Sequence, residues 1–153
     1  MAFNLTSKAF EHGAAIPDKH SCKGEDLPPP LSWDEAPGGT VTFALILEDP
    51  DAPGGTFLHW LIYNIPPDAK ELNDVSPAQK NLKNGAIQAK NDFGKTGYGG
   101  PCPPKGEEHR YFFKLFALKK KLQPESIRKI EDFYHAIKSI TIDKAEYMGK
   151  FRL

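Results

Sequence analysis

The sequence predicts an all-β fold, a sandwich of strands with one α-helix near the C-terminus and a last strand after it. Strand-like apolar segments alternate with turn clusters throughout the chain, and 13 glycines and 14 prolines are spread along it. Apolar residues recur at helical spacing in a single segment. The 153 residues contain no repeat, low-complexity stretch or linker, so we expect one domain over 1–153.

The N-terminal part of the chain begins with a short strand and a long loop. The stretch "AFNLTSKAF" (2–10) is read as the first strand. The stretch "GAAIPDKHSCKGEDLPPPLSW" (13–33) is rich in turn residues, and its three consecutive prolines favour an extended backbone. Because proline cannot donate a backbone hydrogen bond, we expect this stretch to lie along a sheet edge.

The strongest strand signal is the stretch "GGTVTFALILEDP" (38–50). Its odd-numbered positions are all apolar: Val41, Phe43, Leu45 and Leu47. The even-numbered side also carries apolar residues, Ala44 and Ile46. A strand that is apolar on both sides is typical of burial on both faces.

Four further segments complete the predicted sheet. The stretch "TFLHWLIYNIPP" (56–67) is a strand that only an acidic turn separates from the preceding one, and "GAIQAKNDFG" (85–94) is a weaker candidate. Glycine and proline exclude regular structure from "GKTGYGGPCPPKGEE" (94–108), which leads into the clear strand "HRYFFKLFALKK" (109–120). The tail "SITIDKAEYMGKFRL" (139–153) alternates as a last strand.

The predicted helix begins near Pro124, because proline suits the first helical position, where its missing N–H costs nothing. An apolar stripe at helical spacing follows, formed by Ile127, Ile130, Phe133, Tyr134 and Ile137. Charged residues occupy the other side of this segment. We therefore expect the stripe to pack against the core and give it no functional role.

Charge and hydropathy exclude several classes of protein. The chain holds 20 basic and 20 acidic residues, so long-range attraction to nucleic acid or to a membrane surface is absent. The N-terminus "MAFNLTSKAF" lacks an apolar segment of signal-peptide length, and no stretch is long enough to span a bilayer. We therefore expect a cytoplasmic protein without nucleic-acid or transmembrane interactions.

The two cysteines, Cys22 and Cys102, form no CxxC spacing and no zinc signature. A disulfide between them requires Cα atoms within about 7 Å of each other. The sequence leaves the oxidation state of both residues open.

A group of polar residues at strand ends is the candidate functional site. Asp49 lies at the exit of one strand, and His59 lies at the entrance of the next. His109 and Tyr111 begin a third strand and share one of its faces, since side chains alternate along a strand. If these strands are neighbours, an aspartate, two imidazoles and a phenol converge at one end of the sheet.

The loop "GYGGPCPPKG" runs into His109 and is expected to form the rim of this site. Its glycines allow close approach of backbone N–H groups to a ligand, and its prolines keep the loop open at little entropic cost. The predicted rim residues are Tyr98, Gly99, Gly100, Pro101, Cys102 and Pro103. Imidazoles, amides and one carboxylate together suit a small phosphorylated or zwitterionic ligand such as a protonated phosphate.

The acidic turn "EDPDAP" is expected to fix the angle of Asp49. We expect Asp51 to pair with Arg110 behind the pocket, and the compressed turn makes the Ala52–Pro53 bond a candidate for cis geometry. Taken singly, these aspartates are also ordinary turn residues, and each histidine could be a satisfied core residue.

Three ordered motifs in this sequence resemble the phosphatidylethanolamine-binding protein family, which includes Raf kinase inhibitor protein. They are "DPDAP", the "HW" that opens an apolar strand ending in Asn64, and "GYGGPCPPKG" followed by "HRYFF". The segments "PPLSW" and "NDFG" and the short total length are similar to the bacterial and archaeal branch. Animal members carry a tyrosine and a tryptophan where this chain has Phe57 and Leu58.

The resemblance implies a mainly antiparallel Greek-key β-sandwich with a small anion pocket at one end. By motif position, the pocket residues are Asp49, His59, Gly100, Pro103, His109 and Tyr111. It also implies a possible protein partner, a kinase or a protease, and leaves oligomer formation open.

Four function hypotheses follow from the sequence. The leading one is non-enzymatic binding of a phosphorylated or zwitterionic anion such as a phospholipid head group, with no cofactor and no catalytic residue. The second is an ester or phosphoester hydrolase that uses an Asp49–histidine acid–base pair. The third is a metal site of two histidines and a carboxylate, although no spacing favours it and we expect no metal. The fourth is inhibition of a kinase or protease through the protein surface, by family analogy alone.

Overall fold

A computed structural model describes residues 2–153, which form eight strands and one α-helix. The strands are β1 (Asn4–Thr6), β2 (Leu31–Asp34), β3 (Thr42–Asp49), β4 (Phe57–Ile65), β5 (Glu71–Leu72), β6 (Ile87–Gln88), β7 (Glu108–Leu118) and β8 (Thr141–Arg152). The helix α1 spans Ile130–Ile137, and single turns of 3-10 helix occur at Asp18–His20 and Pro124–Ser126. Over residues 2–153, no helix is long and apolar enough to cross a bilayer.

The strands form two sheets in which every neighbouring pair is antiparallel. The small sheet has the order β1-β2-β5, and the large sheet has the order β6-β4-β3-β7-β8. After the excursion through β5 and β6, the chain returns in β7 to pair with β3, as in a Greek key. The predicted β-sandwich with one helix before the last strand is confirmed.

The large sheet is covered on both faces. One face packs on the small sheet, and Phe43, Leu45 and Leu47 of β3 lie in that core. The opposite face packs on α1, through Ala44 and Ile46 of the same strand. All eight residues of β3 are therefore buried, as its two-sided apolar pattern predicts.

The helix begins later than its predicted start at Pro124. The carboxylate of Asp132 accepts hydrogen bonds from the backbone N–H groups of Arg128 and Lys129 and so satisfies donors at the helix N-terminus. The preceding Pro124–Ser126 segment forms only one 3-10 turn. Strand β5 was not predicted from the sequence, because two residues are too few to show alternation.

The loop over residues 13–33 follows a sheet edge only at its beginning. There, Ile16 donates its backbone N–H to Lys150 of β8, and Lys150 donates to Ala14. Residues 31–33 belong to β2, which lies in the middle of the small sheet, so the edge prediction is wrong there. Residues 18–26 fold back against the loop that precedes β7. Cys22 forms a disulfide with Cys102 of that loop, with a distance of 5.4 Å between the two Cα atoms, which answers the question that the sequence left open.

The acidic turn after β3 contains no cis bond, so the prediction for Ala52–Pro53 is wrong; every peptide bond that the structure describes is trans. The chain reverses through two successive turns. The Asp49 side chain accepts the N–H of Asp51 at 2.7 Å, and Gly55 donates to the carbonyl of Ala52 at 3.1 Å. This reversal needs no cis peptide, since Gly55 takes a positive φ of 108°.

Candidate functional site

The site lies at one end of the large sheet, where three strands end or begin. Strand β3 runs antiparallel to both β4 and β7, so its C-terminal end lies beside the N-terminal ends of its neighbours. Asp49 continues the side of β3 that faces the small sheet, and His109 and Tyr111 lie on the same face of β7. The convergence that the sequence predicts is therefore present.

A β-bulge in β4 brings His59 to this face. Leu47 pairs with Trp60 while the next residue, Glu48, pairs with Leu58, which leaves His59 as the extra residue in β4. Trp60 lies in the core between the sheets and Leu58 lies in the core under α1, although both are even-numbered. The bulge thus shifts the alternation and lets His59 point to the same side as Tyr111.

These residues line a cavity of about 330 Å³. Its walls are Asp49, Ala52, Pro53, Phe57, His59, Phe93, Cys102, Pro103, Pro104, His109 and Tyr111. The wall is mostly apolar, with a few polar groups that converge on one side, as is common in small-molecule sites.

The imidazole of His109 lies between two carboxylates. Its Nδ1 is 2.7 Å from Oδ2 of Asp49, and its Nε2 is 3.0 Å from Oε1 of Glu107. Ionised carboxylates only accept hydrogen bonds, so the imidazole must donate from both nitrogens. This arrangement favours the imidazolium form.

The surroundings of His109 agree with a charged ring. Burial lowers the pKa of His109, but the hydrogen bonds and negative charges of Glu107 and Asp49 outweigh it, and the pKa is raised above its ordinary value. The side chains of His109 and Asp49 are each 4% exposed, whereas that of Glu107 is 55% exposed. Asp49 is thus the buried partner and Glu107 the partner at the surface.

His59 is held in the opposite charge state. Its Nδ1 donates to the carbonyl of Gly99 at 2.7 Å, so in the neutral ring Nε2 is an acceptor. Burial lowers the pKa of His59, and the hydrogen bond to Gly99 offsets this only in part. The cavity therefore contains one cationic and one neutral imidazole.

Tyr111 is fully buried, and its hydroxyl makes no hydrogen bond of normal length and angle with the residues described, although Asp49 and the backbone of Cys102 are its nearest polar neighbours. Its ring packs edge-on against His59, with 5.3 Å between the ring centroids. Burial and the charge of Asp49 raise the pKa of Tyr111, so the hydroxyl keeps its proton. A buried hydroxyl without a partner at the wall of a cavity is a donor suited to a ligand.

The backbone amides predicted to face a ligand are used within the protein, so that part of the prediction is wrong. Tyr98 donates to the carbonyl of Pro77, Gly99 to the carbonyl of His59, and Gly100 to the carboxylate of Asp26. Neither these three residues nor Pro101 lie in the cavity wall. Of the predicted rim, only Cys102 and Pro103 line the cavity.

The glycines instead allow close packing beneath the pocket. A Cβ at Gly99 would lie 2.4 Å from the ring of Phe93, and a Cβ at Gly100 would lie 2.3 Å from Asp26. Tyr98 is buried and donates its hydroxyl to the carbonyl of His20. The loop over residues 18–26 therefore packs against the pocket loop, residues 97–106. Sequence periodicity could not reveal this contact between distant segments.

The ion pair predicted between Asp51 and Arg110 is confirmed. The guanidinium of Arg110 donates from Nε and Nη2 to the two carboxylate oxygens, at 2.9 and 2.8 Å, and its backbone N–H donates to the same carboxylate. The hydrogen bond from Arg110 holds the pKa of Asp51 at about 2. This pair lies outside the cavity wall and joins the acidic turn to β7.

Sequence reasoning assigned no site role to Glu107, Phe57 or Phe93. The rings of Phe57 and Phe93 are 4.8 Å apart and both contact His59. Within residues 2–153, no group of three or more histidine, cysteine, aspartate or glutamate side chains is placed to hold a metal ion.

Comparisons with known proteins agree with this architecture. A family model described as phosphatidylethanolamine-binding protein matches residues 6–152. A UPF0098 protein of the archaeon Methanothermobacter thermautotrophicus is 44% identical over 149 residues, which cover 97% of this chain and 98% of the relative.

Two solved structures have the same fold. A phosphatidylethanolamine-binding protein homolog from Chlamydia trachomatis has a TM-score of 0.87 and 36% identity, and the match covers 99% of this chain and 98% of the other. YbcL of E. coli, described as a new member of the mammalian PEBP family, has a TM-score of 0.89 and 33% identity, with 100% and 99% covered.

Proposed function

Because the chain belongs to the phosphatidylethanolamine-binding protein family, we propose that its strand-end cavity binds a small phosphorylated or zwitterionic anion without chemical turnover. Phosphate and phosphoethanolamine are the two ligands to test first. The observation that carries this proposal is the fully buried Tyr111 hydroxyl, which lies at the cavity wall and has no hydrogen-bond partner among residues 2–153.

The polar groups at the cavity complement a singly protonated phosphate group. Tyr111 is a donor, the imidazolium of His109 becomes one when Glu107 leaves its Nε2, and Nε2 of the neutral His59 is an acceptor for a phosphate O–H. A fully ionised phosphate fits less well, because it offers no hydrogen to His59 and is repelled by Asp49. The cavity of about 330 Å³ has the volume of a small-molecule site.

Two features favour binding over hydrolysis, the second function considered. The Asp49–His109 pair has the geometry of an acid–base dyad, but Nε2 of His109 is held by Glu107. Cys102 is in the cavity wall but is bound in a disulfide, so it offers no thiolate. Hydrolysis of a phosphoester that is lost in His109→Ala would overturn the non-enzymatic proposal.

The proposal is tested by titrating the protein with phosphate and with phosphoethanolamine while recording amide and histidine ring resonances by NMR. We expect shifts confined to residues around the cavity. Tyr111→Phe should weaken binding by about tenfold, since a hydrogen bond to a charged group contributes about 1.5 kcal/mol. His135→Gln, a change on the exposed side of α1, should leave both affinities unchanged.

Tyr111→Phe is the decisive variant because it removes a hydroxyl that no residue in the described part of the chain binds. Its free energy of unfolding should equal or exceed that of the wild type, since an unpaired buried polar group is lost. Phosphate binding of equal strength in Tyr111→Phe and wild type would place the ligand elsewhere. Regulation of a kinase or protease partner stays a prediction from the family resemblance.

A further inference from the structure

We propose that Glu107 determines the specificity of this pocket by occupying the anion position on His109, from which a bound anion must displace it. The inference rests on the proposed function of the pocket. With Glu107 in this position, the pocket binds anions that carry their own cationic group in preference to bare anions.

The contacts of His109 leave no free donor for a ligand while Glu107 is in place. An imidazolium has two N–H groups, and Asp49 takes the one on Nδ1 at 2.7 Å. Glu107 takes the one on Nε2 at 3.0 Å. A carboxylate oxygen thus occupies the position that a phosphate oxygen would need.

Exposure indicates which of the two carboxylates can leave. Asp49 is 4% exposed at the end of β3 and also accepts the backbone N–H of Asp51, so it is fixed. The Glu107 side chain is 55% exposed and belongs to a turn in which its N–H donates to the carbonyl of Pro104. Water can solvate Glu107 after displacement, so its release costs little compared with that of a buried charge.

The charges around the cavity explain the resulting selectivity. Asp51 and Arg110 neutralise each other, and Asp49 balances His109, so the carboxylate of Glu107 is the one unbalanced charge among these five paired groups. This negative charge repels a bare phosphate after displacement. A ligand with an ammonium group is repelled less, and the exposed ring of Phe93 in the same wall offers a face to a cation.

The experiment compares Glu107→Gln with Glu108→Gln in the full-length protein. Glu108 is exposed and precedes His109 in β7, so its side chain points to the other face of the strand, and the two variants change the net charge equally. Dissociation constants for phosphate and phosphoethanolamine are measured by NMR titration. The pKa of His109 is measured from its ring resonances in the absence of ligand.

In Glu107→Gln, we expect phosphate affinity to rise by about tenfold and phosphoethanolamine affinity by about threefold, since removal of one nearby charge favours the bare anion more. The pKa of His109 should fall, because one of the two carboxylates that stabilise the imidazolium is gone. Glu108→Gln should change each affinity by less than about twofold, as expected of a screened surface charge.

Equal phosphate affinities in Glu107→Gln and Glu108→Gln would overturn the role of Glu107 while leaving the anion pocket intact. An unchanged ratio between the two ligands would overturn the selectivity. If neither ligand binds wild type or variants, the proposed function itself fails and this inference fails with it. The His109 pKa then shows whether the Glu107 contact is also absent.

Discussion

At the scale of single residues, His109 determines the electrostatics of the pocket. Its imidazole is buried, yet its pKa is raised because two carboxylates accept its two N–H groups. His59, about equally exposed, has a lowered pKa because burial disfavours its charged form and the hydrogen bond from its Nδ1 to the carbonyl of Gly99 offsets this only in part. Burial disfavours the charge on both rings, and only at His109 do two carboxylate acceptors outweigh it.

This difference predicts how stability depends on pH. Because the pKa of His109 is higher in the folded state than its ordinary 6.5, its stabilising contribution is complete below that value and is lost as pH rises through the folded-state pKa. His109→Gln should therefore cost about 3 kcal/mol of unfolding free energy near pH 6, and less near pH 9. Urea unfolding of both proteins at several pH values measures this difference.

The matched control for this prediction is His135→Gln, which changes an exposed histidine on α1. Its unfolding free energy should follow that of the wild type at every pH. If the difference between wild type and His109→Gln is the same near pH 6 as near pH 9, the imidazolium is not stabilised by its carboxylates.

Single residues were predicted unevenly from the sequence. Asp49, His109 and Tyr111 could be placed together because strand alternation and strand ends determine where they lie. His59 was placed only by its position at a strand end, and it faces the cavity because of the β-bulge. Glu107 could not be separated from Glu108 in "KGEEHR", since only the turn before β7 decides which of the two carboxylates reaches His109.

At the scale of elements, α1 is attached to the sheet by both apolar and polar contacts. Phe133 and Ile137 enter the core on the outer face of the large sheet. Tyr134 donates its hydroxyl to Glu48 of β3 at 2.9 Å, and Lys114 of β7 donates to the same carboxylate at 2.6 Å. Tyr134 was predicted as part of an apolar stripe, but its hydroxyl joins a half-buried polar cluster.

This cluster predicts unequal effects of removing its members. Tyr134→Phe should lower the unfolding free energy by about 1 kcal/mol, the usual contribution of one hydrogen bond. Glu48→Ala should lower it by about 3 kcal/mol, because Tyr134 and the mostly buried Lys114 both lose their partner. Chemical denaturation measures both values.

Glu131→Ala on the same helix serves as the control, since this side chain is exposed. Its effect should be within about 0.5 kcal/mol of zero. A loss in Glu48→Ala no greater than in Glu131→Ala would show that the cluster does not attach the helix to the sheet.

Strong elements were predicted well and marginal ones poorly. Strands β3 and β7 have eight and eleven residues with clear apolar patterns, and these patterns are stronger than any local turn or helix signal. The predicted start of α1 was too early because Asp132 caps the N-terminus of the helix at residues 128 and 129. Pro124 begins only a single 3-10 turn. The first and last residues of a helix or strand depend on such individual contacts.

At the scale of the whole molecule, the Cys22–Cys102 disulfide joins two segments that are 80 residues apart in sequence. Tyr98 and Gly100 also bind residues 20–26 through hydrogen bonds. The N-terminal loop and the pocket loop thus form one unit under the cavity. The expected cytoplasmic location stays a prediction, and a structural disulfide of this kind is more common in oxidising compartments.

Reduction of this disulfide should lower the unfolding free energy by about 4 kcal/mol, since the bond closes a long loop in the unfolded chain. The double variant Cys22→Ser, Cys102→Ser should match the reduced wild type. In both, the amide resonances of residues 98–100 and 102 should broaden, because the loop over residues 97–106 loses its covalent link to the N-terminal loop. Unfolding free energies of oxidised and reduced protein that agree within about 1 kcal/mol would contradict this expectation.

The fold class, the main strands and the convergence of Asp49, His109 and Tyr111 at one end of the sheet could be predicted from the amino-acid sequence. These properties follow from periodicity and from the antiparallel order of strand ends, which are local in the chain. The tertiary structure alone decided the β-bulge at His59, the occupied amides of Tyr98, Gly99 and Gly100, and the contact of Glu107 with His109. Each of these depends on which distant group satisfies a given donor or acceptor, and hydrogen-bond partners between distant segments leave no pattern in the sequence.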